Sequence, residues 1–155
     1  MKKIELTQGL YALVDDKDYD WLNSWKWHAS GSEKQFYACR TENKKLIQMH
    51  REILRCSDDE FVDHKDGNGL NNQRENIRKC TRHENNRNKS IQKNSETGYK
   101  GVSKSGKKYR ARIMVNGKWM CLKSHLTAKD AAIAFDEAAK KHFGEFAKLN
   151  FPNTK

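Results

Sequence analysis

From Ile4 to Val14 the chain carries strand-forming residues around a turn at Gly9, with Leu10, Ala12 and Val14 alternating against Tyr11 and Leu13. Residues 15–25 change period. Tyr19, Trp21, Leu22 and Trp25 recur at spacings of three and four, which predicts a short helix with one buried side and Asp16 or Asp18 as its cap. Trp25 to Ala29, Phe36 to Arg40 and Leu46 to Met49 are separated by the turn-rich Ser30-Gly31-Ser32 and Glu42-Asn43-Lys44, and a small antiparallel sheet fits them. The aromatic residues here are expected in the core, because a small domain relies on large side chains for buried area.

Phe61 to His64 reads as a strand end, Asp66-Gly67-Asn68-Gly69 as a sharp turn, and Ile77 to Cys80 as the returning strand. A helix follows at once. Thr81 and Glu84 have the spacing of a capping box, in which hydroxyl and carboxylate satisfy the free amides of a helix start. Residues 86–97 are polar and hold a single aliphatic side chain, which marks a linker. Beyond it, Tyr99 to Val102, Lys108 to Val115 and Lys118 to Lys123 predict three strands, the last two joined by the hairpin dipeptide Asn116-Gly117. A helix closes this second module. Thr127 and Asp130 start it, Ala131, Ala132, Phe135, Ala138, Ala139 and Phe143 form its apolar stripe, and Gly144 sits where a left-handed stop belongs.

With 155 residues, of which 35% are hydrophobic, two compact modules are favoured over one large core. The formal charge of +11 sits mostly in one band. Residues 1–60 hold 10 basic and 11 acidic side chains, net −1, whereas Gln73 to Lys123 holds 15 and 3, net +12. A surface made merely soluble would mix the signs, so a nucleic-acid face is expected, with double-stranded DNA as partner. Neither a membrane span nor a secretory leader is present as a pattern, and a cytoplasmic location with free thiols at Cys39, Cys56, Cys80 and Cys121 is expected.

The chemistry concentrates in residues 62–86. A hard divalent cation prefers oxygen ligands, and a site of one carboxylate and one amide leaves room for water and phosphate; Asp63 and Asn85 supply that pair. His64 is the side chain suited to take a proton from water near pH 7. In an ideal strand it points away from Asp63, so a bend or strand end is needed to bring both to one phosphate. An Asp-His pair alone reads as no more than turn residues beside a Gly-Asn loop.

Taken together, Asp63-His64-Lys65-Asp66-Gly67-Asn68, Asn71-Asn72, Asn76-Ile77-Arg78, Thr81 and Asn85 resemble the His-Asn-His (HNH) endonuclease motif in the form found in phage and intron-encoded homing endonucleases. Met49-His50-Arg51 resembles the element that stands before that motif. The resemblance implies a ββα-metal fold in which His64 is the general base, Asp63 and Asn85 hold Mg2+ or Mn2+, and Asn76 ties the loop between the strands. Asn85 rather than His83 or Asn86 is chosen because it follows Thr81 by the family's spacing of four. His50 is grouped with the catalytic residues, as a phosphate contact or as a structural hydrogen-bond partner. Arg74, Arg78 and Arg82 are candidate DNA contacts. No structural zinc is expected, because the cysteines are spaced 17, 24 and 41 apart rather than in close pairs.

Gly98-Tyr99-Lys100-Gly101-Val102, the alanine-rich helix with Phe135-Asp136, and Leu149-Asn150-Phe151-Pro152 resemble the Apetala / ethylene-response-factor DNA-binding domain. That resemblance implies a three-stranded sheet laid in the major groove with a helix behind it. Alternation agrees: Lys108, Arg110, Arg112 and Met114 fall on one side of their strand, and Tyr109, Ala111, Ile113 and Val115 on the other. Lys100, Lys104, Lys108, Arg110, Arg112, Trp119 and Lys123 are the expected DNA contacts. The fold class expected is therefore α+β: an HNH nuclease module over residues 1–90 (motif 49–88), a linker over 91–97, and a three-stranded antiparallel sheet packed on one helix over 98–152. The function expected is a monomeric, metal-dependent endonuclease of the homing type; the alternative is a DNA-binding regulator with a silent nuclease fold.

Overall fold

The computed structural model describes residues 1–32, 35–89, 91 and 95–152; residues 92–94 of the expected linker lie outside the described residues. The fold is mixed α/β, with several small sheets and four α-helices among the described residues. It divides into two compact units, residues 1–85 and 86–155, so residues 86–90 group with the second unit and not the first. No described helix is long and apolar enough to cross a membrane.

In the first unit, β1 (Lys2–Glu5) and β2 (Tyr11–Val14) form an antiparallel hairpin with Ile4 opposite Ala12. Its inward residues Ile4, Ala12 and Val14 join Leu22, Trp27, Ala38, Met49, Ile53 and Ile77 in one core. Helix α1 (Asp16–Asn23) starts after Asp15, whose side chain makes no cap. That carboxylate instead accepts the Arg74 backbone N–H at 2.9 Å. Asp16 and Asp18, the expected caps, both lie inside the helix. Leu22 is buried from this helix, but Trp21 and Trp25 remain 39% and 44% exposed, contrary to the one-sided burial expected. Trp27 is the tryptophan that enters the core, and its indole N–H is satisfied by the Leu22 carbonyl at 2.8 Å.

Strands β3 (His28–Ser32), β4 (Gln35–Glu42) and β5 (Lys45–Gln48) form the expected antiparallel sheet in the order β3-β4-β5. Ser30, Gly31 and Ser32 continue β3 instead of turning. Where the sequence suggested that the third strand ran to Met49, a helix begins: α2 (Met49–Leu54) buries Met49, His50 and Ile53 and stops at Arg55 with φ 50°. A second antiparallel ribbon follows, β6 (Phe61–His64) with β7 (Ile77–Cys80), and then α3 (Arg82–Arg87).

The second unit contains β8 (Val102–Ser105), β9 (Lys108–Val115) and β10 (Lys118–His125), with β9 central, and α4 (Ala128–Phe143). Val102, Ala111 and Ile113 of the sheet meet Ala131, Ala132, Phe135 and Ala139 of the helix. The small alanines permit close approach, and Gly101 extends it: a Cβ there would lie 2.2 Å from the Phe135 ring. Gly101 also has φ 73°, so the first strand starts at Val102 rather than Tyr99. Asn116 and Gly117 both have positive φ, the geometry of the tight turn that matches strand twist. Thr127 caps α4 by accepting the Asp130 N–H at 3.1 Å. Buried Asp136 accepts from the backbone N–H groups of Asn150 and Phe151, both at 2.8 Å, which ties the terminal Leu-Asn-Phe segment to the helix.

Candidate active site

The site grows out of the β6–β7 ribbon. Asp63 pairs with Arg78 and His64 with Ile77 across it, and the backbone turns immediately after His64, whose carbonyl accepts the Gly67 N–H at 2.9 Å. β6 ends at His64 with this turn, and Asp63 and His64 are each only 5% exposed. Asn76 binds the intervening loop from within: its Oδ1 accepts the Asp66 N–H at 3.1 Å, and its Nδ2 donates to Asp66 Oδ1 at 3.0 Å and to the Asn71 carbonyl at 2.8 Å. A residue that could not both donate and accept would lose part of this loop network.

Thr81 and Glu84 form the capping box of α3. The Glu84 N–H donates to Thr81 Oγ1 at 3.2 Å and the Thr81 N–H to Glu84 Oε2 at 2.7 Å. Asn85 then makes the first helical turn, its N–H donating to the Thr81 carbonyl at 3.0 Å; it is half-buried, whereas His83 is exposed.

Asp63 Oδ2 accepts from the Arg78 guanidinium at 2.7 Å (Nη2) and 3.1 Å (Nε), and the arginine side chain is itself only 10% exposed. Arg78, expected on DNA, therefore orients the Asp63 carboxylate instead. Among the described residues no group of three or more histidine, cysteine, aspartate or glutamate side chains could enclose a metal ion. One carboxylate and one amide, both oxygen donors, fit a hard divalent ion that retains water and takes phosphate oxygens.

His64 is flanked by two further rings, Tyr37 from β4 and His50 from α2. Burial holds the His64 imidazole below its ordinary pKa, with Asn72 and the Asp66 and Asp63 carboxylates pulling the other way. Burial, reinforced by His64 and Arg51, pushes His50 down to about 3. Among the described residues the Nδ1 of buried His50 meets no hydrogen-bond partner, and a ring left uncharged at neutral pH argues against a cationic phosphate contact. Nothing local in the sequence marks Tyr37 as a neighbour of His64, because an aromatic residue in a short strand reads as core.

The other expected DNA contacts divide. Arg74 is clasped by the buried Asp18 carboxylate at 2.7 and 2.8 Å, which links α1 to the loop before β7. Arg82 is exposed. Lys100 donates to the carbonyls of Arg87 and Lys89, and burial lowers its pKa to about 8. Lys104 stands opposite Tyr109, hence on the helix side of the sheet and not with the arginines. Lys108, Arg110 and Arg112 share the open face with Met114, all exposed, and Arg112 stacks 5.0 Å over Trp119, itself 60% exposed. Lys123 falls in a bulge with φ 38°, so Ser124 takes the position opposite Arg110.

Over 150 residues the chain is 33% identical to a protein of Acanthamoeba polyphaga mimivirus described as an uncharacterized HNH endonuclease, a match that covers 92% of this chain and 76% of the viral one. No family model and no solved structure matches the chain.

Proposed function

The protein belongs to the HNH endonuclease family, and from that premise we propose that it is a metal-dependent, homing-type endonuclease that hydrolyses phosphodiester bonds of double-stranded DNA. The observation that carries the reading is the buried Asp63-His64 pair at a sharp strand end, with Asn76 holding the loop and a capped helix bringing Asn85 after the returning strand. His64, uncharged at neutral pH, takes the proton from the attacking water. Asp63 and Asn85 hold Mg2+ or Mn2+, with Arg78 fixing the carboxylate. A cation held there supplies positive charge for the phosphate and for the leaving 3′ oxygen. Arg78 and Arg74 take structural parts in this scheme.

The second unit supplies affinity. In this reading it acts as an Apetala / ethylene-response-factor-like domain, whose exposed Lys108, Arg110, Arg112 and Trp119 form a cationic face suited to the major groove. Incubation of the purified chain with supercoiled plasmid and Mg2+ or Mn2+ tests the whole reading. Nicked or linear product that requires added metal supports it, and substrate left intact across metals and protein concentrations favours the DNA-binding regulator. Asp63→Ala and Asn85→Ala should each shift the metal titration of cleavage to higher concentration. An unchanged titration removes that residue from the ligand set.

A further inference from the structure

Three rings from separate elements meet at the end of β6. His50 and His64 pack edge to face with centroids 4.9 Å apart. Tyr37 leans against both, 5.7 Å from His50 and 5.9 Å from His64, at interplanar angles of 56° and 53°. Such separations and tilts are those in which ring edges and faces attract. A fourth element closes in on Tyr37. A Cβ at Gly69, in the loop between β6 and β7, would lie 2.6 Å from Tyr37 Cδ1, 2.7 Å from Cε1 and 2.4 Å from the Phe36 carbonyl oxygen. Gly69 does not have the left-handed backbone of Gly67, whose φ is 81°. What this position requires is the missing side chain and not the turn.

We propose that Tyr37 is a positioning residue for His64, its ring held by Gly69 and in turn fixing the plane in which the imidazole meets the attacking water. The inference rests on the reading of His64 as the general base. The ring-bearing χ2 torsion of histidine has broad wells, so the backbone of β6 alone does not aim a nitrogen. A general base works only within hydrogen-bond reach and direction of its proton, and a small misorientation costs rate without weakening substrate binding. The Asn76-bound loop presses Gly69 on Tyr37, and Tyr37 meets His64, so the loop order is transmitted to the base through contacts. The part assigned to Tyr37 belongs to its ring. Its hydroxyl stays protonated at neutral pH, because burial and then the Asp63 charge raise its pKa.

The test uses the full chain, supercoiled plasmid and Mg2+. Tyr37→Phe, which keeps the ring, should hold kcat within about 2-fold; Tyr37→Met, which fills the space with a flexible chain, should lower kcat about 10-fold or more with KM within about 2-fold. Gly69→Ala should reproduce that split. In metal-free, DNA-free protein the His64 ring carbon and proton resonances should be unmoved in Tyr37→Phe and displaced in Tyr37→Met and Gly69→Ala. A loss in Tyr37→Phe equal to that in Tyr37→Met would assign the effect to the hydroxyl and overturn the proposal. Parental kcat and unmoved His64 resonances in Tyr37→Met and Gly69→Ala would overturn it as well. Should the parental chain cut no DNA with any metal, the nuclease reading fails, while the His64 resonances still decide whether Tyr37 and Gly69 set that ring.

Discussion

Lowering the pH from 7.5 to 5 should destabilise the first unit through His50. In the native state this imidazole is 5% exposed and takes a proton only at about pH 3; in the unfolded chain it does so near its ordinary value of 6.5. Between those values the unfolded state binds one more proton, so the stability His50 contributes is present above about 6.5 and is lost as the pH falls toward 3. At pH 5 the displacement from the unfolded value is about 1.5 units, or about 2 kcal/mol. His64 is shifted in the same direction and adds to the loss. Asp18, lowered chiefly by its hydrogen bond to Arg74, contributes in a lower window, below its unfolded value of 3.8. Lys100, lowered to about 8, is charged in both states over most of this range and adds little to the difference. Urea unfolding at the two pH values, followed by tryptophan emission, to which Trp21, Trp25 and buried Trp27 of the first unit contribute, measures the difference. Because His50→Gln cannot take up the proton, the drop between the two pH values should shrink by about 2 kcal/mol in that variant, whatever its absolute stability. Equal drops in the parental chain and in His50→Gln would refute the argument.

His64→Ala should lower the cleavage rate on the order of 10²-fold or more with DNA affinity nearly unchanged; a variant cutting at the parental rate would remove His64 as the base. Arg110→Ala and Arg112→Ala should each weaken DNA binding by about 1–3 kcal/mol if they contact bases, or lower the salt dependence by about one phosphate contact. Lys104→Ala, on the helix side of the sheet, should have the smaller effect, as should neutralising Lys140 and Lys141; equal losses in a binding titration would mean that the open face is not the reading surface. A fragment of residues 86–155 should fold and bind DNA without cutting it, and one of residues 95–155 should melt lower, because it lacks the Arg87 and Lys89 carbonyls that receive the Lys100 ammonium. Identical melting curves would assign no stabilising part to that tether.

Elements closed by neighbours along the chain are legible in the order of residues alone. The Thr81–Glu84 capping box, the Thr127 cap, the Asn116-Gly117 turn and the alternation of β9 each depend on residues a few positions apart, where backbone geometry leaves few choices. The Asp63-His64 ribbon and its Asn76-tied loop lie within one short stretch, so spacing alone assembles them. Other features depend on which distant group arrives to meet a side chain. Charge marked Arg74 and Arg78 for phosphate, but Asp18, 56 positions away, and Asp63, 15 away, take their guanidinium groups, and a buried carboxylate near an arginine outcompetes solvent for it. Lys104 and Lys123 lose their expected places through register and a bulge, which no count of basic residues contains. Tyr37 and His50 come to His64 from a strand and a helix far upstream, and only the packing of those elements brings the three rings together. Local chemistry and the modules that carry it are thus written in short-range spacing. Pairing across the chain is settled by folding, because an ion pair or ring contact between distant residues is selected by the core that forms around it and leaves no periodic trace in the residues that make it.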